Sequence, residues 1–172
     1  MQNTDSFFER FRSASDLERL QHIEDHPASF FAGTNMPAYY ALMKSVDVSA
    51  SDRPLPVLVL AWLAFLCGDN AGLHKTRALI EQTHSMTPQE SSLYYALRAI
   101  ARIPDNTQDI LKHAQLAVDV LPRTDASFYM ANAKLTCAQI YAGLERYRDA
   151  ATMFDDAYGL FLGQDMGFPA AV

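Results

Sequence analysis

Cysteine is scarce in this chain, which limits the ways in which the fold can be held together. Two cysteines occur among the 172 residues, Cys67 and Cys137, each in a predicted helix among apolar neighbours. A free thiol in such surroundings behaves as a small hydrophobic residue, so a disulfide between the two is the less favoured alternative. A chain of this length buries about two-thirds of the surface that its unfolded form exposes. We therefore expect a stable domain in a reducing, cytoplasmic setting, with no disulfide, metal ion or cofactor.

Long apolar segments and an excess of positive charge are missing as well. The longest apolar run covers residues 57–67, which is well short of the about 20 residues that a membrane-spanning helix needs. The N-terminus has neither a basic region nor an apolar region behind it, so no signal peptide is predicted. With 14 Lys and Arg against 20 Asp and Glu, the net charge of -6 repels a phosphate backbone. These features predict a soluble protein that contacts neither a membrane nor nucleic acid directly.

Arrangements of residues that carry catalysis are also absent from the local sequence. No Ser/His/Asp, Cys/His or paired-carboxylate spacing can be assembled, so the chain is predicted not to be an enzyme. His22 and His26 are four residues apart, which is a spacing that two zinc ligands on one helical face can have. A third ligand is not evident, and a helix end just before Pro27 favours histidine for electrostatic reasons. We interpret the pair as helix-end residues, and the acidic pair Asp155 and Asp156 as a solvated face.

What is present is a helical pattern along almost the whole chain. Apolar residues recur at three- and four-residue spacing, and no period-two segment is bounded by hairpin turns, so we predict an all-α fold. Segments 15–18 and 87–90 have the capping-box spacing that begins a helix. A nearly all-apolar helix is predicted from Pro54 to Cys67, buried on most sides and followed by a turn at Gly68.

The last third of the chain has the residue spacing of a tetratricopeptide-type helix pair. Small residues allow two antiparallel helices to approach closely, and aromatic residues fill the space between that pair and its neighbours. The residues that match this pattern are Ala138, Tyr141, Tyr147, Ala150, Phe154 and Ala157. They predict a protein built from stacked helix pairs.

A second helix pair is predicted before this one, at a constant offset along the sequence. Ala150, Phe154 and Ala157 lie 40 residues after Ile110, Ala114 and Ala117. We predict a tetratricopeptide-like right-handed superhelix of antiparallel helix pairs. Residues 1–52 would form an N-terminal helical capping segment, and residues 53–172 one continuous array within a single structural domain.

A series of motifs runs from Arg53 to about Phe161. Its residues are Arg53-Pro54, Trp62, Gly68-Asp69, Arg98, Ala99, Ala101, Pro104, Asn106, Ala114, Ala117, Leu121-Pro122, Asp125-Ala126, Tyr141, Tyr147 and Ala150. Their order resembles the helical sensor domain of MalT-like, LuxR-type transcription activators. In that family the domain is similar to a superhelix that binds an inducer or an inhibitory protein and reports to an ATPase module and a DNA-binding module. The chain has no G-x-x-x-x-G-K-[ST] phosphate loop and no basic helix-turn-helix segment. It departs from the family pattern at Ala138 and at Asp105, where glycine is usual.

The resemblance implies a non-enzymatic sensor or interaction domain of a transcriptional regulator. Its partner would be a small-molecule effector or a regulatory protein or peptide, and a homodimer is left open. The alternative is a stand-alone tetratricopeptide-like adaptor or chaperone that binds a peptide segment of a client protein. A basic helix-turn-helix region in the natural gene product would favour the regulator.

The first helix of each pair forms the inner wall of such an array, so its exposed face is the candidate binding groove. Taking Ala138 as equivalent to Arg98 gives the groove positions of the last two helix pairs. A less regular correspondence in sequence gives the groove positions of an earlier helix pair. Trp62 and Phe65 are more readily explained as core packing, whereas Arg102 and Gln139 are better groove candidates. The predicted positions are Leu58, Trp62, Phe65, Ser92, Tyr95, Ala99, Arg102, Asn132, Leu135, Gln139 and Ala142.

Overall fold

A computed structural model describes residues 3–31, 35–48, 51–82, 85–102 and 106–163. Within these ranges the chain is helical and contains no strand, which confirms the predicted all-α class. No helix among them is both long and apolar enough to span a bilayer. The helices are α1 (Asn3–Ser13), α2 (Asp16–Asp25), a short 3₁₀ helix (Pro27–Phe30), α3 (Met36–Met43), α4 (Leu55–Leu66), α5 (Asn70–Ile80), α6 (Pro88–Ile100), α7 (Thr107–Asp119), α8 (Phe128–Gly143) and α9 (Tyr147–Gly163).

The chain divides into two compact units, the first ending at Ser85 and the second beginning at Met86. The first contains α1 to α5, and the second contains α6 to α9. The predicted division at residue 52 separates a capping segment from an array of repeats. It stays a prediction, because compact units do not show where repeats begin. The predicted turn at Pro104 and Asp105 and the tail after Gly163 lie outside the described residues.

Both predicted capping boxes are confirmed. The Ser15 and Thr87 backbone N–H groups each donate to the glutamate three residues later, at 2.8 Å in both cases. The hydrogen bonds from Ser15 hold the pKa of the Glu18 carboxyl below its usual value. Asn35 precedes α3 without a side-chain capping bond, because its backbone does not have the extended conformation that the capping geometry needs.

Helix α4 is the centre of the first unit. Every residue from Leu55 to Ala64 is buried, because α2, α3, α5 and the 3₁₀ helix all pack against α4. The predicted burial on most sides is confirmed. Trp62 is 4% exposed, and its ring lies 6.0 Å from that of Phe31 and 6.1 Å from that of Phe65.

Aromatic side chains from α1, the 3₁₀ helix and α3 form a second part of this core. The rings of Phe7 and Phe11 pack against Phe30 with centroids 5.6 and 5.0 Å apart, and Phe8 packs against Tyr39 at 5.1 Å. Edge-to-face geometry dominates these pairs, as the quadrupole of an aromatic ring favours. The N-terminal phenylalanines are therefore part of the core of their own unit.

The start of α5 is fixed to α3 by one carboxylate. Asp69 accepts the Gly72 backbone N–H at 2.8 Å, the Tyr40 hydroxyl at 2.7 Å and the Lys44 ammonium at 3.0 Å. These hydrogen bonds hold the pKa of Asp69 far below its ordinary value. Burial and the acceptor Asp69 together raise the pKa of the Tyr40 hydroxyl. Gly68, with φ at +72°, makes the preceding turn, as predicted.

The two cysteines lie in different surroundings. Cys137 is buried in α8, its thiol donates to the Ala114 carbonyl at 2.9 Å, and burial raises its pKa to about 12. Cys67 was predicted among apolar neighbours, but it follows the last residue of α4 and is exposed. Both thiols are free.

We expect a thiol reagent such as Ellman's reagent to label one cysteine in the native chain and two in denaturant. Cys67 is accessible, although partial burial and Asp69 raise its pKa and slow the reaction. Cys137 is both inaccessible and protonated at neutral pH. A Cys67→Ser variant that still reacts rapidly in its native state would show that α8 opens readily.

The second unit consists of two antiparallel helix pairs. In the first pair, the Ser92 hydroxyl of α6 donates a hydrogen bond to the Ala117 carbonyl of α7, and the Tyr95 ring of α6 contacts His113 of α7. In the second pair, Lys134 of α8 forms an ion pair with Asp156 of α9. Helix α8 also packs against both α6 and α7. A core shared by all four helices contains Ala99, Ala114, Cys137, Ile140, Tyr141 and Ala150.

Two of the four groove positions predicted on α6 are buried in contacts between helices. Ser92 is buried and its hydroxyl donates to the Ala117 carbonyl of α7 at 2.6 Å, and Ala99 lies in the shared core, so neither belongs to an open face. Arg98, which was taken as the counterpart of Ala138, is half-buried.

Candidate functional site

Of the residues predicted to line a groove on α6, Tyr95 and Arg102 remain partly accessible. Tyr95 is half-buried, and its ring packs against His113 of α7 at 5.8 Å. Arg102 lies beyond the last residue of α6, in the turn that follows, with φ at +53°. It is exposed, but it is a turn residue and does not extend a helical face.

Sequence reasoning missed a polar and aromatic cluster on the same helix pair. The Arg98 guanidinium donates to the Tyr94 hydroxyl at 3.0 Å and lies 5.6 Å from the centre of that ring. Tyr94 in turn packs against Tyr95, which contacts His113. The four-residue spacing of Tyr94 and Arg98 was the available signal. These side chains bind one another, which is sufficient to explain their positions.

Trp62 and Phe65, the candidates from the earlier register, belong to the first unit. Leu58 is fully buried and Trp62 nearly so, while Phe65 is half-buried at the end of α4. Their mutual packing supports the interpretation of Trp62 as a core residue.

The four residues predicted on α8 do share one face, which we call the α8 face: Asn132, Leu135, Gln139 and Ala142. Spacings of three, four and three residues place them along one side of a helix. Gln139 is exposed, Leu135 and Ala142 are half-buried, and Asn132 is 9% exposed. The α8 face therefore combines apolar surface with two carboxamides. It is exposed at Gln139 and becomes buried toward the start of the helix.

The amide of Asn132 is the unusual feature of the α8 face. Its Nδ2 is buried and has no hydrogen-bond partner among the described residues. A buried donor left without a partner costs about 1–3 kcal/mol. Buried polar groups of folded proteins nearly always have partners, so this amide is the candidate ligand contact on the α8 face.

The histidine and aspartate pairs noted in the sequence do not form such a site. His22 and His26 each contact the Phe7 ring at 5.9 Å, and no three His, Cys, Asp or Glu side chains of the described ranges are arranged to hold a metal ion. Asp155 and Asp156 are exposed, as expected for a solvated face. They border a surface depression of about 350 Å³ whose charges are mixed.

No family model matches the chain, and comparisons with curated proteins and with solved structures find no match. The geometry of the α8 face is therefore the basis on which a function is assigned.

Proposed function

We propose that this chain is a non-enzymatic binding domain made of tetratricopeptide-like helix pairs, and that the α8 face binds its ligand. The buried, unpartnered amide of Asn132 carries the proposal. A carboxamide offers an NH2 group that donates and a carbonyl oxygen that accepts, which suits a peptide group, a carboxylate or a small polar effector. Leu135 and Ala142 supply apolar contact beside it, and Gln139 offers a second, accessible amide.

The packing of the second unit supports the repeat interpretation. Helix α8 contacts both helices of the preceding pair as well as its own partner α9, as successive pairs of a helical repeat do. We further propose that the domain acts as MalT-like, LuxR-type regulators use theirs, by sensing an effector or a regulatory protein in the cytoplasm. The two free thiols are consistent with a reducing compartment. A ligand that prefers one arrangement of the helices could then bias an attached module.

We expect Asn132→Leu to make the free chain more stable and to abolish ligand binding. Leucine has the same number and branching of side-chain heavy atoms, removes the unpaired donor and has the higher helix propensity, so the free energy of unfolding should rise by about 1 kcal/mol. Urea denaturation measures this change. A loss of more than about 1 kcal/mol would mean that the amide already has a partner within the fold.

The binding half of the proposal is tested by a thermal-shift screen against sugars, nucleotides, amino acids and short peptides. A ligand at about 100 times its dissociation constant adds roughly 2.7 kcal/mol of stability. The shift should vanish in Asn132→Leu and shrink in Gln139→Ala, and it should persist in Gln108→Ala, which changes an exposed glutamine on α7. A ligand whose shift survives both α8 variants would bind elsewhere and would contradict the proposal.

A further inference from the structure

The buried position of the Asn132 amide sets a condition on any ligand of the α8 face. Its Nδ2 atom is buried and has no hydrogen-bond partner among the described residues, so a group from outside the fold does not reach it in this arrangement. Rotating the carboxamide by half a turn only exchanges the donor for the acceptor in the buried position. Binding through Asn132 therefore requires an arrangement of the helices in which this amide is accessible.

The unpaired donor itself favours such an arrangement. A buried N–H group without a partner costs the free energy of its desolvation, and this cost disappears when water reaches the group. The arrangement with a buried Asn132 is thus destabilised relative to an arrangement with an exposed one. A leucine at the same position would not have this effect.

Within the second pair, α8 and α9 are held together closely. Lys134 of α8 forms an ion pair with Asp156 of α9, and the contact between these two helices is the most extensive among the described helices. The pair α8–α9 is therefore suited to move as one unit.

The contact between the two pairs is weaker in its polar part. The Cys137 thiol donates to the Ala114 carbonyl at 2.9 Å, and Gln115 Nε2 lies 3.4 Å from the Tyr141 hydroxyl, which is long for a hydrogen bond. The first pair contributes Ala99 and Ala114 to the shared core, and alanine buries less apolar surface than the larger aliphatic residues. Separation of the pairs thus breaks fewer strong contacts than separation of α8 from α9.

We propose that the pair α8–α9 opens from the pair α6–α7 as one unit, and that a ligand of the α8 face reaches Asn132 in this open form. The inference rests on the proposed function and adds that the ligand selects a minor form of the free chain. Folded proteins commonly open in contiguous units at a lower free energy than that of complete unfolding. The apparent affinity then scales with the fraction of the chain that is open, which the unpaired amide raises.

The first experiment uses Cys137 as a reporter of opening in a Cys67→Ser chain without ligand. The Cys137 thiol is buried and bonded to the other pair, so it reacts with iodoacetamide only while the pairs are apart. Mass spectrometry follows this slow labelling under native conditions. Because the unpaired donor favours the open form, Asn132→Leu should slow the labelling about fivefold. Labelling at an unchanged rate would overturn the inference.

Gly159→Ala is the control that separates local opening from complete unfolding. The new methyl group in α9 has nothing within 4 Å, and the alanine stabilises the folded chain. If α8 and α9 open together, α9 is helical in both forms and the labelling rate stays unchanged. If Cys137 reacts only after complete unfolding, Gly159→Ala also slows the labelling, and the proposal is wrong.

A second measurement is the dependence of the labelling rate on urea. Local opening exposes less surface than complete unfolding, so the rate should rise less steeply with urea than the unfolding equilibrium does. Equal slopes would contradict the inference but not the proposed function, which the thermal-shift screen tests separately. Conversely, opening without any ligand that depends on Asn132 would contradict the proposed function alone.

Discussion

Gly72→Ala should destabilise the chain by about 2 kcal/mol, although alanine is the better helix former by about 1 kcal/mol. A Cβ at this position would lie 2.3 Å from the Tyr40 hydroxyl and 3.1 Å from the Asp69 carboxylate. Tyr40 is 7% exposed, and its hydroxyl is held by Asp69 at 2.7 Å. The hydroxyl therefore cannot withdraw without losing the bond that ties α3 to α5. Urea unfolding of both chains measures the difference.

Two further variants separate this clash from a general effect of glycine replacement. Gly159→Ala in α9 has nothing within 4 Å of the new methyl group, so it should stabilise by about 0.5–1 kcal/mol. Tyr40→Phe removes the hydroxyl, and adding Gly72→Ala to that background should cost much less than in the native chain. An undiminished cost in the Tyr40→Phe background would place the strain elsewhere.

Local chemistry allowed much of the helical structure to be predicted. The capping boxes at Ser15 and Thr87, the end of α2 before Pro27 and the turn at Gly68 each depend on a few neighbouring residues. The burial of α4 followed from its lack of a polar face. These features do not depend on which helices pack against one another, so they can be predicted from the sequence.

Contacts between helices could not be predicted in the same way. The groove positions on α6 were derived by a constant offset from α8, and two of the four, Ser92 and Ala99, are buried. Arg102 lies in a turn, and Ser92 packs against α7. A better signal was present, since Ser92, Ala96 and Ala99 are small residues at spacings of four and three, as expected for the closely packed side of a helix.

The spacing of its residues allowed the α8 face to be predicted, but it did not reveal that the Asn132 amide is buried. The spacing placed Asn132, Leu135, Gln139 and Ala142 together. That the Asn132 amide is buried without a partner depends on the helices around it, which spacing along α8 does not reveal. The Asp69 network was missed for the same reason, because Tyr40 and Lys44 are far from it in sequence.

Ala99→Leu should be the most destabilising of the substitutions considered for the second unit, with a cost of about 3 kcal/mol. Ala99 is fully buried in the core shared by the four helices, alongside Ala114 and Ala150. Three additional carbons cannot be accommodated unless the helices separate, and overpacking of this kind typically costs 1–3 kcal/mol or more. Chemical denaturation gives the cost, and circular dichroism shows whether the helices survive.

The matched control is Ala78→Leu on α5, where the alanine is exposed and the free energy of unfolding should change by less than about 0.5 kcal/mol. If Ala99→Leu were equally neutral, Ala99 would not be the close-packing residue of its pair.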